Sequence, residues 1–218
     1  METKEYDAVV FDMDGVIFDS ERAVMNCWLE IADKYGIKDI KGPYLACTGT
    51  TMARTKEIML EAYGTDFPYD TYAKEASENY HAKYDGGRLP MKKGVSELLS
   101  FLKKENKKIA LASSTRRQTV VNQLRDAGIL DYFDTVICGD MVERSKPAPD
   151  IFLKACEKLK VEPERAYAIE DSYNGIRAAH AGKLKPIMIP DLLPENDEME
   201  NLTEVVLDSL LDVVNYLK

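Results

Sequence analysis

Short apolar segments alternate with helical segments along the second half of the chain, and this alternation restricts the fold more than any other feature. Apolar runs at residues 108–112, 135–138, 167–169 and 186–189 predict buried strands, and helical spacing predicts the segments between them. A further strand is predicted at Tyr6–Phe11. Strands that alternate with helices are typical of βαβ units, in which helices cover both faces of a parallel sheet. The predicted fold class is therefore α/β.

The segment between the first two predicted strands has a different pattern. Residues 19–92 contain helical spacing and no strand pattern. The predicted helices span residues 21–35, 52–63 and 69–84, and each is followed by glycine. We therefore expect a core formed by residues 1–18 and 93–218, and a small all-helical domain formed by residues 19–92.

The charge of the chain excludes several classes of partner. The net charge is −9, from 29 basic and 38 acidic residues. An acidic chain without a basic stripe is not expected to bind nucleic acid or an anionic membrane surface. Six of the acidic residues lie in 191–204, which has no basic residue and is expected to form a solvated loop.

The first residues, the apolar runs and the cysteines indicate where in the cell the protein is expected. No apolar run approaches the ~20 residues needed to span a bilayer. Residues 1–7 lack the basic, apolar and small-residue order of a signal peptide. The four cysteines, Cys27, Cys47, Cys138 and Cys156, form no CxxC pair and are expected to be reduced core thiols. We expect a cytoplasmic protein.

Polar side chains follow four of the predicted strands. They are Asp12 and Asp14 after the first, Ser113, Ser114 and Thr115 after the second, Lys146 a short segment after the third, and Glu170 and Asp171 after the fourth. Each group alone is explained equally well as a turn, a helix cap or a surface lysine. Because ligands of open α/β sheets bind beyond the carboxyl ends of the strands, the four groups together predict an active site.

The residue types of this set point to phosphoryl transfer. Clustered carboxylates repel each other unless a cation lies among them, and Mg²⁺ suits such oxygen ligands and often binds alongside phosphate. One carboxylate can attack phosphorus to form an aspartyl-phosphate, and a second can transfer the proton. A lysine and a hydroxyl can stabilise the charge of the transferred group. The chain contains no GxxxxGK[ST], GxGxxG or GxSxG motif, so nucleotide-driven, dinucleotide and serine-hydrolase mechanisms have no support.

These motifs resemble those of the haloacid dehalogenase (HAD) superfamily of hydrolases. The matching segments are Phe11–Val16, Ser113, Lys146 within Ser145–Asp150, and Glu170–Ser172, and the resemblance covers nearly the whole chain. It implies a Rossmann-like core. It also likens residues 19–92 to the small helical cap domain of the subgroup that contains β-phosphoglucomutase and phosphoglycolate phosphatase.

The resemblance also implies roles for individual residues. Asp12 would be the nucleophile and a metal ligand, and Asp14 the general acid and base, which would also bind metal through its backbone carbonyl. Ser113 and Lys146 would hold the phosphoryl group, and Asp171, with Glu170, would complete a Mg²⁺ site. Further candidates are Ser114 and Arg116 for phosphate binding, since Arg116 stands at a predicted helix N-terminus, and Thr50, Thr51 and Arg54 for substrate binding.

The predicted function is a Mg²⁺-dependent phosphatase that acts on a small phosphorylated metabolite, such as a sugar phosphate. The dehalogenase branch of the superfamily lacks the second aspartate of the first motif. This chain has that aspartate, Asp14, so dehalogenation is not favoured. β-Phosphoglucomutase uses a cap histidine and a cap arginine, and the aligned positions here are Val24 and Met52. Two alternatives remain: a β-phosphoglucomutase-like sugar phosphomutase, and a catalytically silent binding protein on the same fold. We expect a monomer, because the cap needs room to move.

Overall fold

The computed structural model of the chain describes residues 5–48 and 52–218. Within these ranges, six parallel strands form one sheet in the order β3-β2-β1-β4-β5-β6. The strands are β1 (Ala8–Phe11), β2 (Lys108–Ser113), β3 (Thr135–Cys138), β4 (Ala166–Glu170), β5 (Lys185–Met188) and β6 (Val205–Val206). The strand order reverses between β1 and β4, which is the position where sheets of this kind bind ligands. The predicted α/β fold with a Rossmann-like parallel sheet is confirmed.

The helices fall into two groups along the chain. Four α-helices lie within the described part of residues 19–92 and form the insertion: α1 (Ser20–Ala32), α2 (Lys41–Cys47), α3 (Met52–Tyr63) and α4 (Tyr69–Tyr84). The others are α5 (Val95–Lys104), α6 (Arg117–Asp126), α7 (Asp150–Leu159), α8 (Tyr173–Ala181), α9 (Asp197–Leu202) and α10 (Leu210–Leu217). Within the described ranges, no helix has both the length and the apolar character that crossing a membrane requires.

Both faces of the sheet are covered by helices. Along β1, Val9 and Phe11 pack into one hydrophobic cluster with side chains of α5, α6 and α10. Ala8 and Val10 point to the opposite face and pack with side chains of α7 and α8. Burial on both faces explains why the central strands are continuous apolar runs rather than alternating ones.

The helical insertion, α1–α4, has a hydrophobic cluster of its own. Trp28 of α1 and Tyr72 of α4 are both buried, with ring centroids 5.2 Å apart, and Met59 of α3 is fully buried in the same cluster. The Tyr72 hydroxyl donates a hydrogen bond to the carbonyl oxygen of Trp28. The insertion therefore has a core of its own, although Ala23, Tyr80 and Tyr84 also pack on the cluster beside the sheet.

Two chain segments connect the insertion to the rest of the fold, and they run antiparallel. The N–H of Asp19 donates to the carbonyl of Pro90 at 2.9 Å, and the N–H of Lys92 donates to the carbonyl of Ile17 at 2.8 Å. The ammonium of Lys92 lies 3.3 Å from a carboxylate oxygen of Asp19 and 2.6 Å from one of the buried Asp191. These contacts fix both connecting segments to each other and to the loop after β5.

Three elements differ from the sequence-based expectation. The prediction of a solvated loop at 191–204 is wrong in part, because the helix α9 lies within it and Met199 of that helix is fully buried. Asn196 caps α9, and its Oδ1 accepts the N–H of Met199. Acidic residues in the first turn of α9 suit the positive end of a helix. The helix α2 and the strand β6 were not predicted, because seven and two residues are too short for a periodic pattern. The four cysteines are buried free thiols, as predicted.

The junction between α5 and α10 provides a test of the packing. A β-carbon at Gly94, where φ is +94°, would lie 2.6 Å from the backbone nitrogen of Leu211. Gly64 has a φ of +91°, with no described atom within 4 Å of such a carbon. We expect Gly94→Ala to lower the free energy of unfolding by about 1–3 kcal/mol more than Gly64→Ala, as measured by urea denaturation. Equal losses would show that backbone strain alone, and not the close approach of α10, acts at Gly94.

Candidate active site

The polar residues that follow β1, β2 and β4 meet at one edge of the sheet. Phe11 pairs with Leu111 on one side and with Ile169 on the other, so the three strands end side by side. The segments beyond them enclose a cavity of about 220 Å³. It is lined by Asp12, Asp14, Glu21, Thr48, Ser114, Thr115, Lys146, Glu170, Asp171 and Ser172.

Lys146 connects the ends of three strands. Its ammonium lies 2.5 Å from Oδ1 of Asp12 and 2.5 Å from Oε1 of Glu170, and it donates to the carbonyl of Ala112 at 3.1 Å. Burial opposes the charge of this ammonium, but the two carboxylates outweigh burial and raise the pKa of Lys146 above its usual range. Lys146 is therefore a permanent positive charge at the floor of the cavity.

Glu170 is fixed through both of its oxygens. Oε1 accepts from Lys146, and Oε2 accepts from the N–H of Asp171 at 3.0 Å, the N–H of Ser172 at 3.0 Å and the hydroxyl of Ser172 at 2.9 Å. The backbone of α8 passes directly behind this carboxylate, since a β-carbon at Gly175 would lie 1.9 Å from its Cδ. Ser172 also caps α8 by accepting the N–H of Gly175 at 3.1 Å. The start of α8 and the carboxylate therefore hold each other in place.

Three buried carboxylates form a set that fits a divalent cation. One oxygen from each of Asp12, Glu170 and Asp171 lies within 4.8 Å of the others. Burial, with Glu170 nearby, raises the pKa of both Asp12 and Asp171 well above the usual range, although Lys146 opposes the shift at Asp12. Divalent cations such as Mg²⁺ prefer hard oxygen ligands. The three carboxylates offer such oxygens, and Lys146 balances only part of their negative charge. The loop after β1 packs tightly onto this set, because a β-carbon at Gly15 would lie 2.2 Å from Oδ2 of Asp171.

Asp14 is oriented by two hydroxyl groups. Ser20, the first residue of α1, donates to Oδ1 at 2.7 Å, and Thr115, in the loop after β2, donates to Oδ2 at 2.9 Å. Neither hydroxyl was predicted from the sequence to orient Asp14. Thr115 stands within the predicted hydroxyl cluster, whereas Ser20 belongs to no motif. Because Ser20 opens the insertion, the position of Asp14 is linked to that of the insertion.

Glu21 and Thr48 reach the cavity from the insertion and were not predicted. Burial, together with the nearby carboxylates of Asp14 and Asp191, raises the pKa of Glu21 to about 7, while the Tyr44 hydroxyl opposes the shift. The Oγ1 of Thr48 is buried and has no hydrogen-bond partner among the described residues. In the sequence, Glu21 resembles any acidic residue in a first helical turn, so no pattern could have singled it out.

The remaining predicted site residues lie in different surroundings. Ser113 is fully buried, and its hydroxyl accepts the N–H of Thr115 at 3.1 Å, which fixes the turn that brings Ser114 and Thr115 to the cavity. Arg116 is exposed and is not among the residues that line the cavity. Arg54 lies on α3, where it pairs with Glu57 and Glu61 at 3.0 Å. Thr50 and Thr51 lie outside the described residues.

The sequence and the fold are similar to those of known proteins. A family model for haloacid dehalogenase-like hydrolases matches residues 6–183. A phosphorylated carbohydrates phosphatase of Thermotoga maritima is 32% identical over 181 residues, 83% of each chain. A beta-phosphoglucomutase of Bacillus subtilis is 34% identical over 179 residues, 78% of this chain and 77% of the relative. The crystal structure of a HAD-family hydrolase from Deinococcus radiodurans with bound phosphate and sodium has a TM-score of 0.80 and 25% identity, covering 96% of this chain and 93% of that one.

Cation binding to the buried carboxylates can be tested by stability. The pKa values of Asp12 and Asp171 are higher in the folded chain than in the unfolded chain, so without a cation the stability falls as pH rises from the unfolded value towards the folded one. A cation must displace these protons, so its stabilising effect should increase as the pH rises from the unfolded pKa towards the folded one. At a concentration of 100 times its dissociation constant, Mg²⁺ should add about 2.7 kcal/mol to the free energy of unfolding.

The variant Asp171→Asn should lose most of this Mg²⁺-dependent stabilisation, as measured by thermal unfolding with and without Mg²⁺. The matched control is Asp70→Asn, whose carboxylate is 79% exposed on α4 and should not affect the response to Mg²⁺. An equal response to Mg²⁺ in Asp171→Asn and in the unmodified protein would contradict the assignment of Asp171 to the cation site.

The close approach of α8 to Glu170 gives a second test. Gly175→Ala would force a methyl group onto the Glu170 carboxylate and should weaken Mg²⁺ binding by at least about tenfold, because the carboxylates that bind the cation would be displaced. Gly182→Ala is the matched control at the other end of α8, where the nearest atom to a β-carbon is a flexible Leu184 methyl at 3.2 Å. Titration calorimetry with Mg²⁺ distinguishes the two variants, and equal affinities would refute this role of Gly175.

Proposed function

The chain belongs to the haloacid dehalogenase-like hydrolases, and on that basis we propose that it is a Mg²⁺-dependent phosphatase of a small phosphorylated metabolite, such as a sugar phosphate. The proposal rests on the cluster of three carboxylates, Asp12, Glu170 and Asp171. The ammonium of Lys146 contacts two of them, Asp12 and Glu170. This arrangement offers a nucleophile, a fixed positive charge and a cation site within one small cavity. A relative that is 32% identical is a phosphatase of phosphorylated carbohydrates, which supports both the reaction and the substrate class.

The proposed reaction has two steps. A carboxylate oxygen of Asp12 attacks phosphorus, and the bond from phosphorus to the leaving oxygen breaks as Asp14 gives that oxygen its proton. Water then attacks the phosphorus of the aspartyl-phosphate while Asp14 takes a proton from the water. The bond from phosphorus to the Asp12 oxygen breaks, and inorganic phosphate leaves. Both aspartates are thereby returned to their starting states.

Other residues of the cavity stabilise and orient these groups. The ammonium of Lys146, 2.5 Å from Oδ1 of Asp12, lies where it can balance the charge of the transferred phosphoryl group. The hydroxyls of Ser20 and Thr115 hold the Asp14 carboxylate in a defined orientation. When bound by Asp12 and Asp171, with Glu170 and the carbonyl of Asp14, Mg²⁺ would neutralise the phosphoryl oxygens.

We also propose that the helical insertion acts as a cap. It supplies Glu21 and Thr48 to the cavity, and two antiparallel segments around Asp19 and Lys92 connect it to the core. A cap that closes over a reacting phosphate excludes competing water and strengthens the electrostatic interactions inside. Residues 1–18 and 93–218 would then form the catalytic core.

A sugar phosphomutase is the second candidate, because a beta-phosphoglucomutase is 34% identical to the chain. The residues aligned with the mutase histidine and arginine are Val24, which is partly buried against the core of the insertion, and Met52, which is 86% exposed. Neither side chain can replace an acid–base group or a cation, which favours hydrolysis. Conversion of β-glucose 1-phosphate to glucose 6-phosphate, with a bisphosphate primer and no net release of phosphate, would establish the mutase instead.

The nucleophile is tested by substitution. We expect Asp12→Asn to lower Mg²⁺-dependent phosphate release by at least about 10³-fold, because the amide cannot form the acyl-phosphate bond. The substrates are p-nitrophenyl phosphate and a panel of sugar phosphates, and phosphate is measured directly. Asp70→Asn, on the exposed face of α4, should keep the unmodified rate. Full activity in Asp12→Asn would refute the mechanism, and no turnover of the panel by the unmodified protein would favour a silent binding protein.

A further inference from the structure

Two residues of the insertion face the cavity with hydrogen-bonding groups that the proposed reaction does not use. Glu21 lies in the first turn of α1, and Thr48 directly follows α2. Both line the same cavity as Asp12 and Lys146. The buried Oγ1 of Thr48 has no partner among the described residues, although a buried hydroxyl in a protein is normally hydrogen-bonded. An unpaired, buried hydroxyl beside a cavity indicates that its hydrogen-bond partner belongs to a ligand bound in the cavity.

The charges around the cavity restrict what that partner can be. Lys146 is the one cation among the described lining residues, and its charge is already shared between Asp12 and Glu170. Residues 49–51, which follow Thr48, are Gly-Thr-Thr and add no charge. Asp14 and Asp191 lie close enough to raise the pKa of Glu21, so the surroundings of Glu21 are negative. A second phosphate on the substrate would therefore meet carboxylates rather than a cation.

A neutral leaving group that carries hydroxyls fits both observations. Substrate hydroxyls can donate to the carboxylate of Glu21, and they can exchange a hydrogen bond with the hydroxyl of Thr48. A site built to bond a substrate hydroxyl rejects an analogue without it, because the buried groups of the site are then left unpaired. Burial of Glu21 strengthens this discrimination, since water cannot replace the missing partner freely.

We propose that Glu21 and Thr48 form a hydroxyl-recognising subsite, which selects the polyhydroxylated leaving group of a sugar or alditol monophosphate and disfavours bisphosphates. The inference rests on the proposed phosphatase function, because it assigns the substrate class of that same cavity. Glu21 and Thr48 act in it as specificity residues, and the groups that react with phosphorus stay those of the core.

The test compares substrates with and without hydroxyls on the leaving group. Values of kcat/KM are measured for fructose 1-phosphate, glucose 6-phosphate, sorbitol 6-phosphate and p-nitrophenyl phosphate. The variants are Glu21→Gln, Thr48→Val and Thr48→Ser, and the matched control is Glu78→Gln, whose side chain is 65% exposed on α4. Thermal unfolding of each variant checks that it is folded.

We expect Glu21→Gln and Thr48→Val to lower kcat/KM for the best sugar or alditol phosphate by at least about tenfold, because each removes one hydrogen bond in a buried site. The same variants should change kcat/KM for p-nitrophenyl phosphate by less than about threefold, since its leaving group has no hydroxyl besides the reacting oxygen. Thr48→Ser, which keeps the hydroxyl, should retain the sugar activity, and Glu78→Gln should match the unmodified protein on every substrate.

A measurement on the unmodified protein makes the test independent of the variants. Fructose 1-phosphate should be hydrolysed with at least about tenfold higher kcat/KM than fructose 1,6-bisphosphate, because the second phosphate would lie near carboxylates. Equal or better use of the bisphosphate would overturn the inference. So would an equal loss of kcat/KM for sugar phosphates and for p-nitrophenyl phosphate in Glu21→Gln and Thr48→Val, or no loss for either substrate. None of these results would contradict the phosphatase function. Failure of the unmodified protein to hydrolyse any substrate would instead refute the function itself.

Discussion

The contact of Lys146 with Asp12 and Glu170 is the interaction on which the site depends. Burying these carboxylates together with Asp171 removes them from water, and their mutual repulsion adds to that cost. One buried ammonium at 2.5 Å from two of them compensates part of the negative charge, and the remainder favours a bound cation. Since Asp12 follows β1, Glu170 ends β4 and Lys146 lies beyond β3, the pairing also requires these strands to share one sheet edge.

Close backbone packing keeps this charged group in a single arrangement. The loop after β1 at Gly15 lies against Asp171, and α8 at Gly175 lies against Glu170, so neither carboxylate can move away from its neighbours. The N–H groups of Asp171 and Ser172 hold Glu170 from a third direction. A site whose electrostatic groups are fixed before the substrate arrives does not have to reorganise during the reaction.

The insertion and the core each contribute side chains to the cavity. The core supplies the carboxylates, the lysine and the turn at Ser113–Thr115, whereas the insertion supplies Ser20, Glu21 and Thr48. Ser20 contacts Asp14, and Lys92 ties both connecting segments to Asp191. Because the same short segments join the insertion to the core and reach the cavity, any movement of the insertion changes the environment of Asp14. In the proposed function, the residues for the reaction and those for leaving-group recognition are thus separate in the chain but adjacent in space.

The sequence by itself determined the parallel α/β sheet, the helical character of residues 19–92 and the polar residues beyond the strands. Continuous apolar runs mark the buried strands and helical spacing marks the long helices, so β3, α3 and α4 were predicted with their observed bounds. Only the tertiary structure decided the helices and strands too short for a period, α2, α9 and β6. The tertiary structure alone also showed the two hydroxyls that donate to Asp14 and the exposed position of Arg116. It alone brought Glu21 and Thr48 to the cavity. The physical reason is that periodicity records which face of an element is buried, whereas contacts between distant segments depend on how whole elements pack.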